Sequence, residues 1–327
     1  MLEGFLAYQE PGEESGYFVG NWHSINFKEI PSNYFFLTDF VKQNCFYFEK
    51  RNSLNKNLGF DFTFDIESSI TSLDREEYLT KLSEFQREMS SQGIEKAIFS
   101  RIELHEKSET IDLIELFNNF CQRYKDEAFV YLISDPQFGT WIGATPEILV
   151  KGDATNLNTV ALAGTKNKES IQWTEKEVKE QAIVSDYIRG KLKSLDPTNL
   201  RESDVKTVKN GAVFHLRKDF EFQLSSLKWN ELVDEMHPTP AVCGRPMKKA
   251  YDLIIDKEPH HRLFYTGLIG YKNENSLAVY VNLRCMQVLE DHFALYLGGG
   301  ITSASKPEDE WEETVNKSKT LLSVLEA

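Results

Sequence analysis

Cysteine is scarce in this sequence, and its spacing excludes some kinds of site. The cysteines are Cys45, Cys121, Cys243 and Cys285, which are widely separated along the chain. They form no C-x-x-C pair of the kind that binds zinc or takes part in redox exchange. Free thiols in a reducing cytosol are therefore the simplest interpretation.

Excess positive charge and long hydrophobic runs are lacking as well. The formal net charge is −14, which argues against charge-driven binding to nucleic acid or to an anionic membrane. An anionic substrate would therefore have to meet a local cluster of positive groups or a metal ion. No run of about eighteen apolar residues occurs, and the N-terminus has no basic region followed by an apolar stretch. We expect a soluble, cytoplasmic protein.

The size and composition of the chain allow a large core. Its 327 residues exceed the usual length of one domain, so two domains or one large domain are both open. Residues 1–70 show aromatic-rich alternation typical of short strands. Strand and helix patterns interleave without a repeat or a clear linker, which favours one compact unit. Helices are predicted at about 74–91, 111–124, 175–192, 229–236 and 247–255, and strands at 94–102, 128–134, 212–224, 263–271 and 277–288.

Residues 297–317, LGGGITSASKPEDEWEETVNK, join a strand pattern to a strong helix start. Ser305 and Glu308 have the spacing of a capping box, so a helix should begin near Pro307. Glu310, Glu313 and Lys317 would share one face of that helix. A predicted glycine turn at 298–300 could direct backbone N–H groups toward an anion. The alternative is a solvated acidic helix after a tight turn.

Two titratable residues stand in apolar surroundings. Lys96 shares one face of a predicted strand with Ile98, and burial there would lower its pKa so that it could act as a base. Glu147 follows a Gly/Pro break between two apolar strand patterns, and burial would raise its pKa so that it could act as an acid. A lysine that reaches solvent and a surface hairpin glutamate are the respective alternatives.

Three further segments contain candidate site residues. Gly164 and Thr165 form a turn after an apolar run, where an N–H group and a hydroxyl could bind a carboxylate. Glu180 heads an apolar stripe on a predicted helix, which suggests a buried partner such as a metal or, alternatively, a position at the solvent edge. His237 opens a proline-rich loop, where a histidine is more often structural than catalytic.

Four separated motifs resemble the chorismate-utilising enzymes, most closely the isochorismate synthases. They are EKAIFSR (95–101), GATPEILV (143–150), HPTPAVCGRP (237–246) and GGGITSASKPEDEWEET (298–314). Shorter segments fit in the same order: ALAGT (161–165), EQAIVSD (180–186), FYTGLIGY (264–271) and VNLR (281–284). The resemblance covers residues 75–325, and the motifs are specific together although each alone is weak. Residues 1–70 are less like the family.

The resemblance implies an α+β fold in which two large antiparallel sheets pack together with helices on the outside, as a single chorismate-binding domain. It also implies Mg²⁺, which carboxylate oxygens suit. Glu180 and Glu313 match the direct metal ligands, and Glu310 is close enough to act directly or through water. The implied substrate-binding residues are Gly164 and Thr165 for the ring carboxylate, and Arg284, Lys317, Gly298 and Gly300 for the enolpyruvyl carboxylate.

The implied reaction moves a hydroxyl group: water attacks C2 of chorismate, the double bonds shift and the C4 hydroxyl leaves. Lys96 matches the family's base and Glu147 its acid, while His237 resembles an orienting hydrogen-bond donor. Ala163 stands where aminodeoxychorismate synthases carry a nucleophilic lysine. We therefore expect no amine donor and no glutamine amidotransferase subunit. Salicylate synthases, which go on to eliminate pyruvate, are the main alternative, and a non-catalytic chorismate-binding relative is another.

Overall fold

The structure is a computed structural model that describes residues 3–54, 59–64, 70–108, 111–153, 155–166, 168–210, 213–225 and 228–325. Helices and antiparallel strands alternate along these residues, as in an α+β fold. The helices are α1 (Arg75–Gln92), α2 (Leu113–Arg123), α3 (Glu175–Ser194), α4 (Trp229–Met236), α5 (Met247–Lys257) and α6 (Pro307–Leu325). The strands are β1 (Gly4–Gln9), β2 (Gly16–Ser24), β3 (Tyr34–Thr38), β4 (Cys45–Ser53), β5 (Lys96–Glu106), β6 (Phe129–Asp135), β7 (Gly139–Thr145), β8 (Ile148–Asp153), β9 (Leu157–Lys166), β10 (Thr198–Glu202), β11 (Lys206–Asn210), β12 (Val213–Gln223), β13 (Gly244–Arg245), β14 (Leu268–Lys272), β15 (Ser276–Val281), β16 (Cys285–Val288) and β17 (His292–Thr302).

Hydrogen bonds join these strands edge to edge into one continuous sheet, which has two halves. One half runs β12–β9–β8–β15–β14–β3–β4, with β10 and β11 both paired to β12. The other half runs β2–β1–β6–β7–β16–β17–β5–β13, and the β2–β4 pairing connects the two. Each of these pairings is antiparallel. Strands from residues 1–70 thus pair directly with strands of the later chain, such as β1 with β6.

The two halves of this sheet pack face to face through a core of aromatic side chains. This core brings Phe35 and Tyr280 from one half together with Tyr131, Trp141 and Tyr296 from the other. Aromatic pairs of this kind contribute beyond the area they bury. The two packed antiparallel sheets that the resemblance implies are therefore confirmed, and they are joined along the β2–β4 edge.

The helices cover the outer faces of both sheets. In α1, Asp74 caps the first turn and Gly93 ends the helix with φ 65°, while Tyr78, Leu82, Phe85 and Met89 are buried as the spacing predicts. Helices α1 and α5 pack beside β5, and α2 and α6 cover β6 and β17. Helices α3 and α4 cover the sheet that contains β8, β9 and β12. No helix in the described ranges is long and apolar enough to cross a membrane.

Two strand predictions were wrong in their bounds. The alternation over 263–271 includes a turn in which Leu263, which is exposed, and Thr266, which is buried, have φ values of 46° and 60°, so β14 starts at Leu268. The alternation over 277–288 is interrupted at Arg284, where φ is 48°, which separates β15 from β16. Apolar periodicity reports burial, and buried turns therefore look like strands in sequence.

The glycine turn predicted at 298–300 is also wrong, because all three glycines lie inside β17. The turn comes later, where Ser305 Oγ accepts a hydrogen bond of 3.1 Å from Thr302 N–H. Helix α6 then begins at Pro307, as the sequence predicts. Free thiols are confirmed, since the four cysteines are unpaired and buried.

Candidate active site

Lys96 stands at the start of β5 and reaches helix α3. Its Nζ lies 2.9 Å from Glu180 Oε1, and both side chains keep part of their surface exposed. Gly300, on the neighbouring strand β17, leaves room for the lysine, because a methyl group at that position would lie 2.8 Å from Lys96 Cε. The structure thus places the predicted base against the first predicted metal ligand.

Helix α6 brings its acidic residues to the same strand. A methyl group at Gly299 would lie 3.1 Å from Glu310 Oε2 and 3.7 Å from Glu313 Oε1. Lys317 Nζ lies 2.7 Å from Glu313 Oε1 and donates to Gly298 O at 2.6 Å. The shared helix face predicted for Glu310, Glu313 and Lys317 is therefore packed on the glycines, which allow this close approach because they lack side chains.

The backbone of the glycine triplet is oriented by the strand next to it. Ser100, opposite Gly298, donates its N–H to Glu258 at 2.9 Å, and Ile98, opposite Gly300, donates to Cys243 O at 2.8 Å. Ser100 and Gly298, like Ile98 and Gly300, are therefore non-hydrogen-bonded pairs of the antiparallel ladder, in which the backbone N–H and C=O groups of the two residues point away from each other. The N–H groups of Gly298 and Gly300 therefore point to the free side of β17, which is compatible with the predicted role as anion donors.

Glu147 lies between β7 and β8 in a backbone held on both sides. Its N–H donates to Thr145 Oγ1 at 3.3 Å, and its carbonyl accepts from Val281 N–H at 2.9 Å. Burial raises the pKa of the carboxyl to about 7, although the nearby guanidinium of Arg284 opposes the rise. A large fraction of these carboxyls therefore keeps its proton at neutral pH and can donate it.

Arg284 occupies the break between β15 and β16 in a left-handed conformation, with φ of 48°. Such backbone strain in a non-glycine residue is common at functional sites. Its carbonyl accepts from Ala144 N–H at 3.1 Å, which fixes it beside β7. Burial lowers the pKa of the guanidinium, whereas Glu147 and other neighbours raise it. An arginine remains charged under these conditions, so it offers a partly desolvated cation near Glu147.

Gly164 lies in β9 with φ of 71°, and its carbonyl accepts from His215 Nδ1 at 3.0 Å. A methyl group there would lie 3.1 Å from Glu177 Cβ of α3, so glycine meets both the backbone and the packing requirement. The backbone of Thr165 continues β9, opposite His215. The side chain of Thr165 lies outside the part of the chain that the structure describes.

His237 is buried at the end of α4, and its exposed fraction is 2%. Its Nε2 lies 2.8 Å from Thr266 O and must carry the proton, since a carbonyl only accepts. Burial lowers the pKa of the imidazole to about 3, so the ring is neutral. Nδ1 has no partner among the described residues and can only accept in this tautomer. The predicted donor role toward substrate would require the bond to Thr266 to break.

A buried ion pair that the sequence did not suggest ties the site together. Arg262 and Glu258 are 2.7 Å apart with side-chain exposures of 3% and 2%. Arg262 also donates to Val242 O in the segment HPTPAVCGRP (237–246) and to Ile98 O in β5, while Glu258 accepts from Ser100. The only signal was an i, i+4 pair of opposite charges in the segment EPHHR (258–262). Because its partners are distant in sequence, its position could not be inferred.

The metal prediction has a partial geometric basis. The described residues contain no ready-made group of three or more His, Cys, Asp or Glu side chains suited to a metal. Glu310 and Glu313, however, both approach the Cβ position of Gly299. Mg²⁺ prefers such hard oxygen donors and commonly takes one or two carboxylates, with water and substrate completing its octahedron. The donor set therefore fits the ion, although Glu180 is paired with Lys96.

Residues 38–326 match the family model described as chorismate binding enzyme. The chain belongs to this family. Among relatives, it is 32% identical over 197 residues to isochorismate synthase DhbC of Bacillus subtilis, which covers 56% of this chain and 50% of that protein. It is 29% identical over 276 residues to the vibriobactin-specific isochorismate synthase of Vibrio cholerae, covering 80% and 69%.

The fold comparison agrees with the family assignment. The menaquinone-specific isochorismate synthase MenF of Escherichia coli superposes with a TM-score of 0.83 over 99% of this chain and 89% of that one, at 18% identity. At this identity the likeness concerns the fold alone. The match to DhbC spans about half of that relative's length, while the family match contains the segments that carry Lys96, Glu147, Glu180 and Glu313.

Proposed function

We propose that this chorismate binding enzyme converts chorismate to isochorismate. The observation that carries the proposal is the carboxyl of Glu147, which burial holds partly protonated at neutral pH and which lies in the residue range that the family model matches. Release of a ring hydroxyl needs such an acid, because hydroxide is a poor leaving group. Several relatives bear the name isochorismate synthase, which supports the same reaction.

Two residues perform the proton transfers in this proposal. Lys96 removes a proton from the water that attacks C2, and the ring double bonds shift. Glu147 gives its proton to the C4 hydroxyl, which leaves as water. One water is consumed and one released, so substrate and product are isomers. Solvent then returns the proton from Lys96 to Glu147 before the next turnover.

Substrate binding is assigned to the cations and backbone groups around the site. Arg284 and Lys317, with the N–H groups of Gly298 and Gly300, would hold the enolpyruvyl carboxylate, while Gly164 and Thr165 would bind the ring carboxylate. Lys317 is already oriented by Glu313 and by Gly298 O. His237 would shape the pocket beside the reacting oxygen. These groups bind the carboxylates and leave the proton transfers to Lys96 and Glu147.

Magnesium is the proposed cofactor. Glu310 and Glu313, with Glu180, would hold the ion, which supplies positive charge to a substrate carboxylate. In the structure Glu180 forms an ion pair with Lys96, with 2.9 Å between Oε1 and Nζ.

The metal assignment gives a direct prediction. Glu313→Gln and Glu180→Gln should each abolish turnover without unfolding the protein, because the fold does not rest on the ion. Calorimetry should show weaker binding of Mg²⁺ to both variants. The activity of the wild-type protein should disappear when a chelator removes the metal. Glu312→Gln, an exposed change on the same helix, is the matched control. Full activity of Glu313→Gln or of wild type in chelator would refute the metal assignment.

The reaction itself is tested by incubating the purified chain with chorismate and Mg²⁺ and identifying the products. We expect isochorismate to form without an amine donor and without release of pyruvate. Salicylate with pyruvate would assign the chain to the alternative reaction, and no turnover with intact chorismate binding would indicate a binding relative. Production for menaquinone or siderophore synthesis, a cytoplasmic location and independence from an amidotransferase subunit belong to the same proposal.

A further inference from the structure

A small cavity lies against Glu147. Its volume is about 10 Å³, which is about the space that one water molecule needs. Most of its lining is apolar and comes from β8, β9, α3 and the loop after α4, and its polar residues are Glu147, Thr159 and Thr239. A cavity lined only by apolar groups stays dry, whereas polar partners can retain a water.

The polar residues of this cavity differ in their hydrogen bonds. Thr159 Oγ1 already donates to Leu149 O at 2.6 Å. Thr239 Oγ1 is buried and has no partner in the part of the chain that the structure describes. The backbone of Thr239 is held in place, since its carbonyl accepts from Val242 N–H at 3.1 Å and Cys243 N–H at 3.0 Å. A buried hydroxyl without a partner is costly and calls for water or another ligand.

We propose that Thr239 and Glu147 share one buried water in this cavity, which makes Thr239 a positioning residue for the Glu147 carboxyl. The water accepts from, or donates to, the threonine hydroxyl and donates to the carboxylate when Glu147 is ionised. A 120° rotation about χ1 moves the threonine hydroxyl to another staggered position, from which it can reach the cavity that the residue lines.

The water has an electrostatic consequence for Glu147. Arg284 is the charged group that lowers the pKa of this carboxyl against the effect of burial. Toward the cavity, the other elements present apolar side chains: Val184 and Ile188 from α3, Val160 and Leu162 from β9, and Met236 and Ala241 around the loop. A water that donates to the ionised carboxylate therefore lowers its pKa relative to a dry cavity.

Two variants remove the water in different ways. Thr239→Val keeps the shape of the side chain and deletes the hydroxyl, while Val184→Ile fills the cavity and keeps Thr239. Each should raise the pKa of Glu147 by about one unit, since a hydrogen bond to a charged group is worth about that much. Thr239→Ser should restore the wild-type value. The maximal rate at low pH should change less than about twofold, because Thr239 does not touch the reacting atoms.

Two measurements report the shift. The alkaline limb of the rate with chorismate should move up by about one pH unit; this readout rests on the proposed function. The pH dependence of thermal stability does not rest on the proposed function, because it is measured without substrate. The pH range in which stability falls should extend upward by the same amount. Placing Thr239→Val in a Glu147→Gln background should abolish the stability shift, which assigns it to Glu147.

Thr159→Val is the matched control, because it removes a hydroxyl from the same cavity that is already committed to Leu149. Thr159→Val should reduce stability. It should leave unchanged both the alkaline limb of the rate and the pH range in which stability falls. If the folded Thr239→Val and Val184→Ile proteins both keep the wild-type pH ranges, the shared water is ruled out. The same conclusion follows if Thr159→Val produces an equal shift. A failure of Thr239→Val to fold leaves Val184→Ile to decide.

Discussion

At the scale of single residues, the surroundings of the proposed base differ from those of the proposed acid. Lys96 is partly exposed and paired with Glu180, whereas Glu147 has little charge nearby other than Arg284. Two titratable groups in different environments are the usual arrangement for general acid and base catalysis. The functional test at this scale is to remove each group without changing its size.

Lys96→Gln and Glu147→Gln should each lower kcat by on the order of 10²–10⁴, the usual worth of a positioned proton-transfer group. KM for chorismate should stay within a few fold, because other groups hold the carboxylates. In wild type, the rate should fall as pH rises through about 7, where Glu147 loses its proton. Steady-state kinetics across pH provides the measurement. A near-normal kcat in either variant would remove that residue from the acid/base mechanism.

The raised pKa of Glu147 also predicts how stability depends on pH. The native state keeps this proton up to about pH 7, whereas the unfolded chain releases it near 4.5. The buried neutral carboxyl therefore contributes fully below pH 4.5, and its contribution is lost as pH rises to about 7, by up to about 3 kcal/mol.

Glu147→Gln has no such proton, so its stability should exceed that of wild type increasingly between these two pH values. Thermal melts of both proteins at several pH values give the comparison. Parallel stability curves for the two proteins would mean that the carboxyl titrates at its ordinary value.

At the scale of elements, the sequence predicted the helices more accurately than the strands. The bounds of α4 match, and α1 and α3 begin at the capping residues Asp74 and Thr174, where Glu177 Oε2 accepts from Thr174 N–H at 2.9 Å. Caps are local signals that sequence shows directly. The turn at 263–267 and the glycine triplet are set by distant partners. For the same reason, the contact of Lys96 with Glu180 was not predicted from the sequence.

Strand β17 provides the element-scale prediction. In Gly300→Ala, the new methyl group would lie 2.8 Å from Lys96 Cε and displace the lysine from Glu180. We expect kcat to fall at least tenfold, while the free energy of unfolding changes by less than about 1 kcal/mol because a side-chain end can move.

Gly190→Ala serves as its control, since this exposed helical position has no neighbour within 4 Å. It should stabilise the protein by roughly 0.5–1 kcal/mol and keep full activity. Kinetics and urea unfolding of both variants test the idea. Unchanged activity in Gly300→Ala would show that the position of the lysine is not held by β17.

At the scale of the whole molecule, the Arg262–Glu258 pair links β5 to the loop after α4 and to the turn before β14. Arg262→Met should destabilise the protein by about 3–5 kcal/mol, because Glu258 would remain buried without its partner. Replacing both residues, as Glu258→Leu with Arg262→Met, should recover part of that loss. Urea unfolding provides the measurement. A double variant less stable than Arg262→Met would contradict this account of an uncompensated buried charge.

The pairing of β5 with β17 joins residues about two hundred positions apart, from Lys96 opposite Thr302 to Glu106 opposite His292. During synthesis, the apolar segment KAIFSRI must therefore wait for a partner that emerges much later from the ribosome. Pairings of this range make folding slow, and an exposed strand edge of this composition promotes aggregation in the meantime. We expect the yield of active protein to depend on growth temperature and chaperone supply more than its equilibrium stability would suggest.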